Sequence, residues 1–173
     1  MIIVSDTTPI LSLLKVGRLG LLESLYHEIV VPQAVYDELT RNEEYKNEIK
    51  EITECTFLSV EKVQNMESVD ILRNVTGLDA GESESLVLYG EKKADLLLID
   101  EHKGRSVAKR MSVNHVGTVG ILMQAFDEKI ITEGEIKEIL EIFLASDIRL
   151  SQKLCNRVLD YVSSKSAQKT KDQ

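Results

Sequence analysis

The sequence predicts an α/β fold: a three-layer sandwich with a mainly parallel central sheet and a C-terminal helical extension. Three observations lead there. Short strand-like runs rich in β-branched and aliphatic residues recur at Ile2 to Val4, Glu28 to Val31, Thr56 to Val60, Leu96 to Ile99 and Val113 to Val116. Helical patterns separate them, and after Val116 only helical patterns remain. Strands this apolar are covered on both faces, as in a parallel sheet, and strand–helix alternation supplies the crossovers that such a sheet needs.

The elements follow in order. Thr8 and Pro9 start a helix that Gly17 interrupts, and a second piece runs from Arg18 to Leu25. Pro32 suits the first turn of a helix that continues through Leu39. Residues 42–54 are charged and helix-compatible, as is the stretch from Gln64 to Val75. Further helices are expected from Asp79 to about Lys92, from about His102 to Met111 and from Thr118 to Asp127. Thr132 and Glu135 form a capping box. Ile136, Ile139, Leu140, Phe143 and Leu144 then follow at amphipathic spacing, and this face can either close the core or form a dimer interface. Ser151 starts a last helix with Leu154, Val158, Tyr161 and Val162 on one side. The expected organisation is a single domain over 1–163, including C-terminal helices from about 132 that pack against the sandwich, and a polar flexible tail over 164–173.

Composition bounds the function. The 173 residues are 43% hydrophobic and 29% charged, with a formal net charge of -8. A chain of this length buries a real core, and no apolar run reaches the length of a membrane span. The first residues lack the basic region of a secretory signal. Cys55 and Cys155 share no metal or redox spacing, so a reducing compartment, the cytoplasm, is expected. The acidity removes any general electrostatic grip on nucleic acid. Contact with nucleic acid must come from a local basic patch or from bound cations.

Acids fall at the ends of strands and the edges of helices. Asp6 ends the first strand, and Asp100 and Glu101 end LLLID. Glu38 sits in AVYDEL, and Glu82 and Glu84 sit in DAGESE. At roughly 100° per residue, Glu38 lies about 60° from the buried Val35, whereas Asp37 lies about 200° away and faces solvent. Ser83, Leu86, Val87 and Gly90 form the expected packed stripe of the later helix, with Glu82 and Glu84 flanking it on opposite sides. Each acid has a structural alternative. Asp6 can accept turn N–H groups before a helix, Glu82 can be the N3 partner of an Asp79 cap, and Glu84 can be a solvated charge favouring the helix dipole. Glu38 can be an exposed helix former and Glu101 a capping acid. Together, however, they can converge on one pocket, where clustered carboxylates cannot all ionise without cations. Oxygen donors with no nearby histidine or thiol select Mg²⁺ or Mn²⁺, and carboxylate-held divalent metals are the usual apparatus of phosphodiester hydrolysis.

Other chemistries fit less well. There is no glycine-rich phosphate loop, and His27, His102 and His115 stand apart. Ser5 lacks a nucleophile-elbow context. Thr8 stands where a dehalogenase-like phosphatase would need a second aspartate. A receiver-like domain would need a lysine at a later strand end, where Val116 and Gly117 stand.

The segments IIVSDTTPILSLLKVGRLGLL, VPQAVYDEL, LDAGESESLVL, ADLLLIDEHKGRSVA, RLSQKL and RVLDYV, in that order, resemble the PIN-domain family. The similarity is to its VapC-like branch of nucleic-acid-binding proteins, and it extends to about residue 163. The resemblance implies a metal-dependent endoribonuclease that acts as the toxin of a toxin–antitoxin pair. It implies Mg²⁺ or Mn²⁺ held by Asp6, Glu38, Glu82 and Asp100, with Thr7 as the polar residue after the first acid. Glu84 and Glu101 are neighbouring candidates for the third and fourth positions. RNA is the implied substrate, a cognate antitoxin the implied partner and a homodimer the implied assembly. Lys103, Arg105, Lys109 and Arg110 are candidate RNA contacts, with a solvated helix face as the alternative. A non-catalytic PIN-fold module binding nucleic acid or protein is the competing expectation.

Overall fold

The structure, a computed structural model, describes residues 1–41, 46–146, 148 and 150–171. Residues 42–45 of the expected charged helix lie outside the described residues, as do 172–173 of the expected tail. The chain divides into two compact units, Met1–Thr118 and Val119–Gln173.

The first unit carries β1 (Ile3–Ser5), α1 (Thr7–Lys15), α2 (Gly20–Tyr26), β2 (Ile29–Pro32), α3 (Gln33–Arg41), α4 (Lys46–Thr53), β3 (Leu58–Glu61), α5 (Met66–Thr76), α6 (Ala80–Lys92), β4 (Leu96–Leu98), α7 (His102–Arg110) and β5 (His115–Val116). The sheet has the order β3-β2-β1-β4-β5. Every pairing is parallel, so the mainly parallel sheet expected is wholly parallel among the described residues. The fold is the three-layer α/β sandwich. Val4, Val30, Leu97 and Ile99 meet Val69 of α5, Leu86 of α6 and Val107 of α7 in one apolar cluster. Ile3, Ile29, Val31 and Leu98 occupy the intervening strand positions and are also buried, as side-chain alternation along strands requires when both faces are covered.

Two local expectations change. Pro32 is the last residue of β2 rather than the first of a helix, and α3 begins at Gln33. The strand is ending there, so the missing N–H removes no later rung. The break after α1 is longer than expected: Gly17 adopts a left-handed φ of +64° and α2 starts only at Gly20. Elsewhere, caps mark the boundaries. The Asn65 side chain accepts from Ser68 N at the start of α5, and Asp79 and Glu82 form a reciprocal capping box on α6.

The second unit contains most of α8 (Thr118–Asp127), then α9 (Glu133–Ala145) and α10 (Gln152–Lys171). Thr132 and Glu135 make the expected capping box. Ile136, Ile139, Leu140 and Phe143 are buried within the chain, while Leu144 is exposed. The expected tail from 164 is helical as far as Lys171. Polar ties hold α10 around residues 161–165. Tyr161 Oη donates to the Asp127 carboxylate, the Lys165 ammonium reaches Asp127 at 2.6 Å, and Ser163 donates to Glu133 at 2.8 Å.

Sheet topology sets where the strand order reverses. From β1 the chain proceeds to β2 and β3 on one side, while β4 and β5 lie on the other. Ligands of open parallel sheets bind beyond the strand ends where the order reverses. Here that point lies between the ends of β1 and β4, which lead into Asp6 and Asp100.

Candidate active site

Asp6 follows β1 directly. Its backbone N–H donates to Leu98 O at 2.9 Å, carrying the β1–β4 ladder one step past the strand. It is the N-cap of α1, yet its side chain makes no capping hydrogen bond, and the residue is only 3% exposed. Burial pushes its carboxyl up from 3.8 to about 7. The Thr7 backbone N–H opposes this, and the Asp79, Glu82 and Glu38 carboxylates add to it.

Glu38 approaches Asp6 from α3. Its Oε2 accepts from Thr7 Oγ1 at 2.7 Å. A β-carbon on Gly81 would stand 3.4 Å from both Asp6 Oδ1 and Glu38 Oε2, so the two carboxylates face one small volume above α6. Asp37 instead accepts from Gln33 Nε2 on its own helix at 2.7 Å.

Glu82 lies one turn into α6 and is 5% exposed. Its Oε2 accepts from Asp79 N at 3.2 Å in the capping box, while Oε1 is buried without a hydrogen-bond partner. Burial raises its carboxyl above the usual range, Asp79 and Glu101 add to the rise, and Lys103 opposes it. Glu82 is therefore both a cap and a member of the acid cluster. Gly104 of α7 closes against it, since a β-carbon there would stand 2.6 Å from Glu82 Oε1 and 2.5 Å from Ile99 Cδ1. Gly104→Ala is expected to cost about 1–3 kcal/mol by overpacking. Gly90→Ala on α6, which meets open space, is expected to be stabilising. Urea unfolding of the two variants checks both signs.

The remaining candidates are dispersed. Asp100 Oδ1 accepts from Thr118 N at 2.8 Å, and Oδ2 accepts from Thr118 Oγ1. Each oxygen retains a second lone pair for a ligand. Glu84 Oε2 accepts from Ala34 N at 3.0 Å and ties α6 to the start of α3. Glu101 is the exposed N-cap of α7 and makes no side-chain cap. Arg105, Lys109 and Arg110 are exposed on α7, and Lys103 Nζ donates to Gly77 O at 2.5 Å. In the sequence Asp79 reads as a helix cap alone, and Thr118 only as the start of a helix. Asp79 lies three residues before Glu82 in the same turn, and its charge reaches both buried acids.

Among the described residues, no three histidine, cysteine or acidic side chains form a cage as they stand. Hydrogen bonds to Thr7, Asp79 and Thr118 hold several of the acids. The donors nonetheless fit a hard divalent cation. They are all oxygens, two are buried carboxylates disfavoured as anions, and one buried oxygen lacks a partner.

The family model for DUF3368, described as a PIN domain, matches residues 2–164. The chain belongs to the PIN-domain family. PIN domains are in general nucleases, and in this PIN domain Asp6 and Asp100 follow β1 and β4, the strands on either side of the sheet's switch point. A search of curated proteins gives no match to the PIN domain described here. No helix among its described residues is long and apolar enough to cross a membrane.

Proposed function

We propose that this PIN domain is a metal-dependent endoribonuclease of the VapC-like branch, the toxin of a toxin–antitoxin pair. The observation that supports it best is Asp6, a carboxylate 3% exposed, held near three other acids beyond β1. Asp6, Glu38, Glu82 and Asp100 would hold Mg²⁺ or Mn²⁺, which when bound polarises a phosphodiester and lowers the pKa of water. Thr7 orients Glu38 through its hydroxyl, and Asp79 orients Glu82 through its backbone N–H. Burial pushes the Asp6 carboxyl up to about 7, and a cation held there would favour its ionised form.

RNA is the proposed substrate. α7 follows Asp100 and Glu101, and its exposed Arg105, Lys109 and Arg110 provide a basic run with no acid inside the helix. This local patch supplies the phosphate contacts that a net charge of -8 otherwise disfavours. We further assign the working form as a cytoplasmic homodimer with a cognate antitoxin. An antitoxin arginine would suit the acids by bidentate pairing, and the negative charge would draw a basic segment in.

The test is cleavage of cellular RNA by purified protein with Mg²⁺ or Mn²⁺. Expected results are cleavage that EDTA stops, that Asp6→Asn abolishes and that the neighbouring gene product suppresses. Binding of single-stranded RNA should weaken with salt by about 0.7 in log–log slope for each phosphate contact. Absence of cleavage, together with tight metal-independent binding of a protein partner, would identify a non-catalytic module instead.

A further inference from the structure

The buried Glu82 occupies a slot with two walls. One is the turn between α5 and α6, where Asp79 N donates to Glu82 Oε2 at 3.2 Å. The other is the first turn of α7, where Gly104 leaves room for Oε1. Lys103 adjoins Gly104 in sequence, but its ammonium crosses to the first wall and donates to Gly77 O at 2.5 Å. Gly77 permits this approach. It ends α5 in the left-handed conformation at φ +68°, and a β-carbon there would stand 2.8 Å from Lys103 Nζ.

We propose that Lys103 is a positioning residue that ties the first turn of α7 to the α5–α6 turn and so fixes Glu82 within the acid cluster. Its ammonium is committed to a backbone carbonyl, while Arg105, Lys109 and Arg110 remain to meet RNA. The tie also leaves a positive charge near Glu82 without closing its unpartnered oxygen. A fixed carboxylate matters because misplacing a catalytic group by about 1 Å can cost roughly a hundredfold in rate.

The test compares Lys103→Met with Lys103→Arg in the full chain. In metal-free protein, hydrogen exchange at the Asp79 amide should accelerate roughly tenfold in Lys103→Met, while strand amides such as Leu97 are unchanged. Lys103→Arg should restore slow exchange. The kinetic arm rests on the nuclease proposal above: with Mn²⁺ and RNA, kcat should fall roughly tenfold in Lys103→Met while KM stays within about twofold. Unchanged Asp79 exchange, uniform acceleration across the fold, or equal acceleration in both variants would overturn the proposal. So would a raised KM and reduced salt dependence at constant kcat, which mark a phosphate contact. If wild-type protein cleaves no RNA, the nuclease proposal fails and the exchange comparison alone decides the role of Lys103.

Discussion

Asp6→Asn is expected to melt above the wild type at pH 8 in EDTA and below it when Mn²⁺ is present. The native Asp6 carboxyl releases its proton at about 7 rather than 3.8, chiefly because it is buried. Between those values the native state holds a proton that the unfolded chain has lost. The stability from this group is complete below pH 3.8 and disappears as pH rises through about 7. Asparagine removes the titration. An advantage of roughly 2–3 kcal/mol for the variant should therefore develop between pH 5 and pH 8. For a chain of this size that is about 5–10 °C in Tm. A divalent cation at 1,000 times its Kd reverses the order, because it adds about 4.1 kcal/mol to the state that binds it, more than the variant's advantage. Thermal melts of both proteins at the two pH values, with EDTA and with Mn²⁺, check the prediction. A wild type that loses no ground to the variant between pH 5 and pH 8 would remove the buried ionisable carboxylate from the account.

Glu38→Gln is expected to reduce RNA cleavage by roughly a hundredfold, while Asp37→Asn stays within about twofold. The two residues are adjacent, and both are exposed on α3. Their partners differ: Glu38 joins Thr7 beside Asp6, whereas Asp37 pairs along its own helix with Gln33. The glutamine of the Glu38→Gln variant keeps an acceptor for the Thr7 hydroxyl but loses the charge offered to a cation. Fold stability should therefore change little, and activity should carry the effect. Equal losses in both variants at unchanged Tm would show that the acid cluster is not the reacting centre.

The buried side of α6 shows why the site was only partly legible. The expected stripe ran through Ser83, Leu86, Val87 and Gly90. In the structure Gly81, Glu82, Ser83, Ser85, Leu86 and Leu88 are buried, and Gly90 is exposed. The buried arc thus takes in Glu82 itself. Apolar periodicity locates a face that meets hydrocarbon, but much of this face is glycine, serine and a carboxylate because it meets β1 and the acids. Ser85 Oγ, for example, lies 3.5 Å from Ser5 O. The same limit applies to Glu84. The capping spacing from Asp79 marks Glu82, but no local pattern gives the partner of Glu84, whose bond to Ala34 spans fifty positions. No local pattern announces the end of α10, where Lys165 and Ser163 meet Asp127 and Glu133, about thirty to forty residues upstream.

By itself, the sequence determined the order and type of the elements, the parallel class of the sheet and the presence of acids at strand ends. Each follows from short-range chemistry: apolar runs, capping residues and the crossover that a parallel pair requires. Only the tertiary structure decided which acids share a volume. Packing of α3, α6 and β1 brings Asp6, Glu38 and Glu82 together, turns Asp100 to Thr118 and assigns Glu84 to Ala34. The side-chain partners across these elements depend on how they pack, and helical or strand periodicity within any one of them does not encode that arrangement.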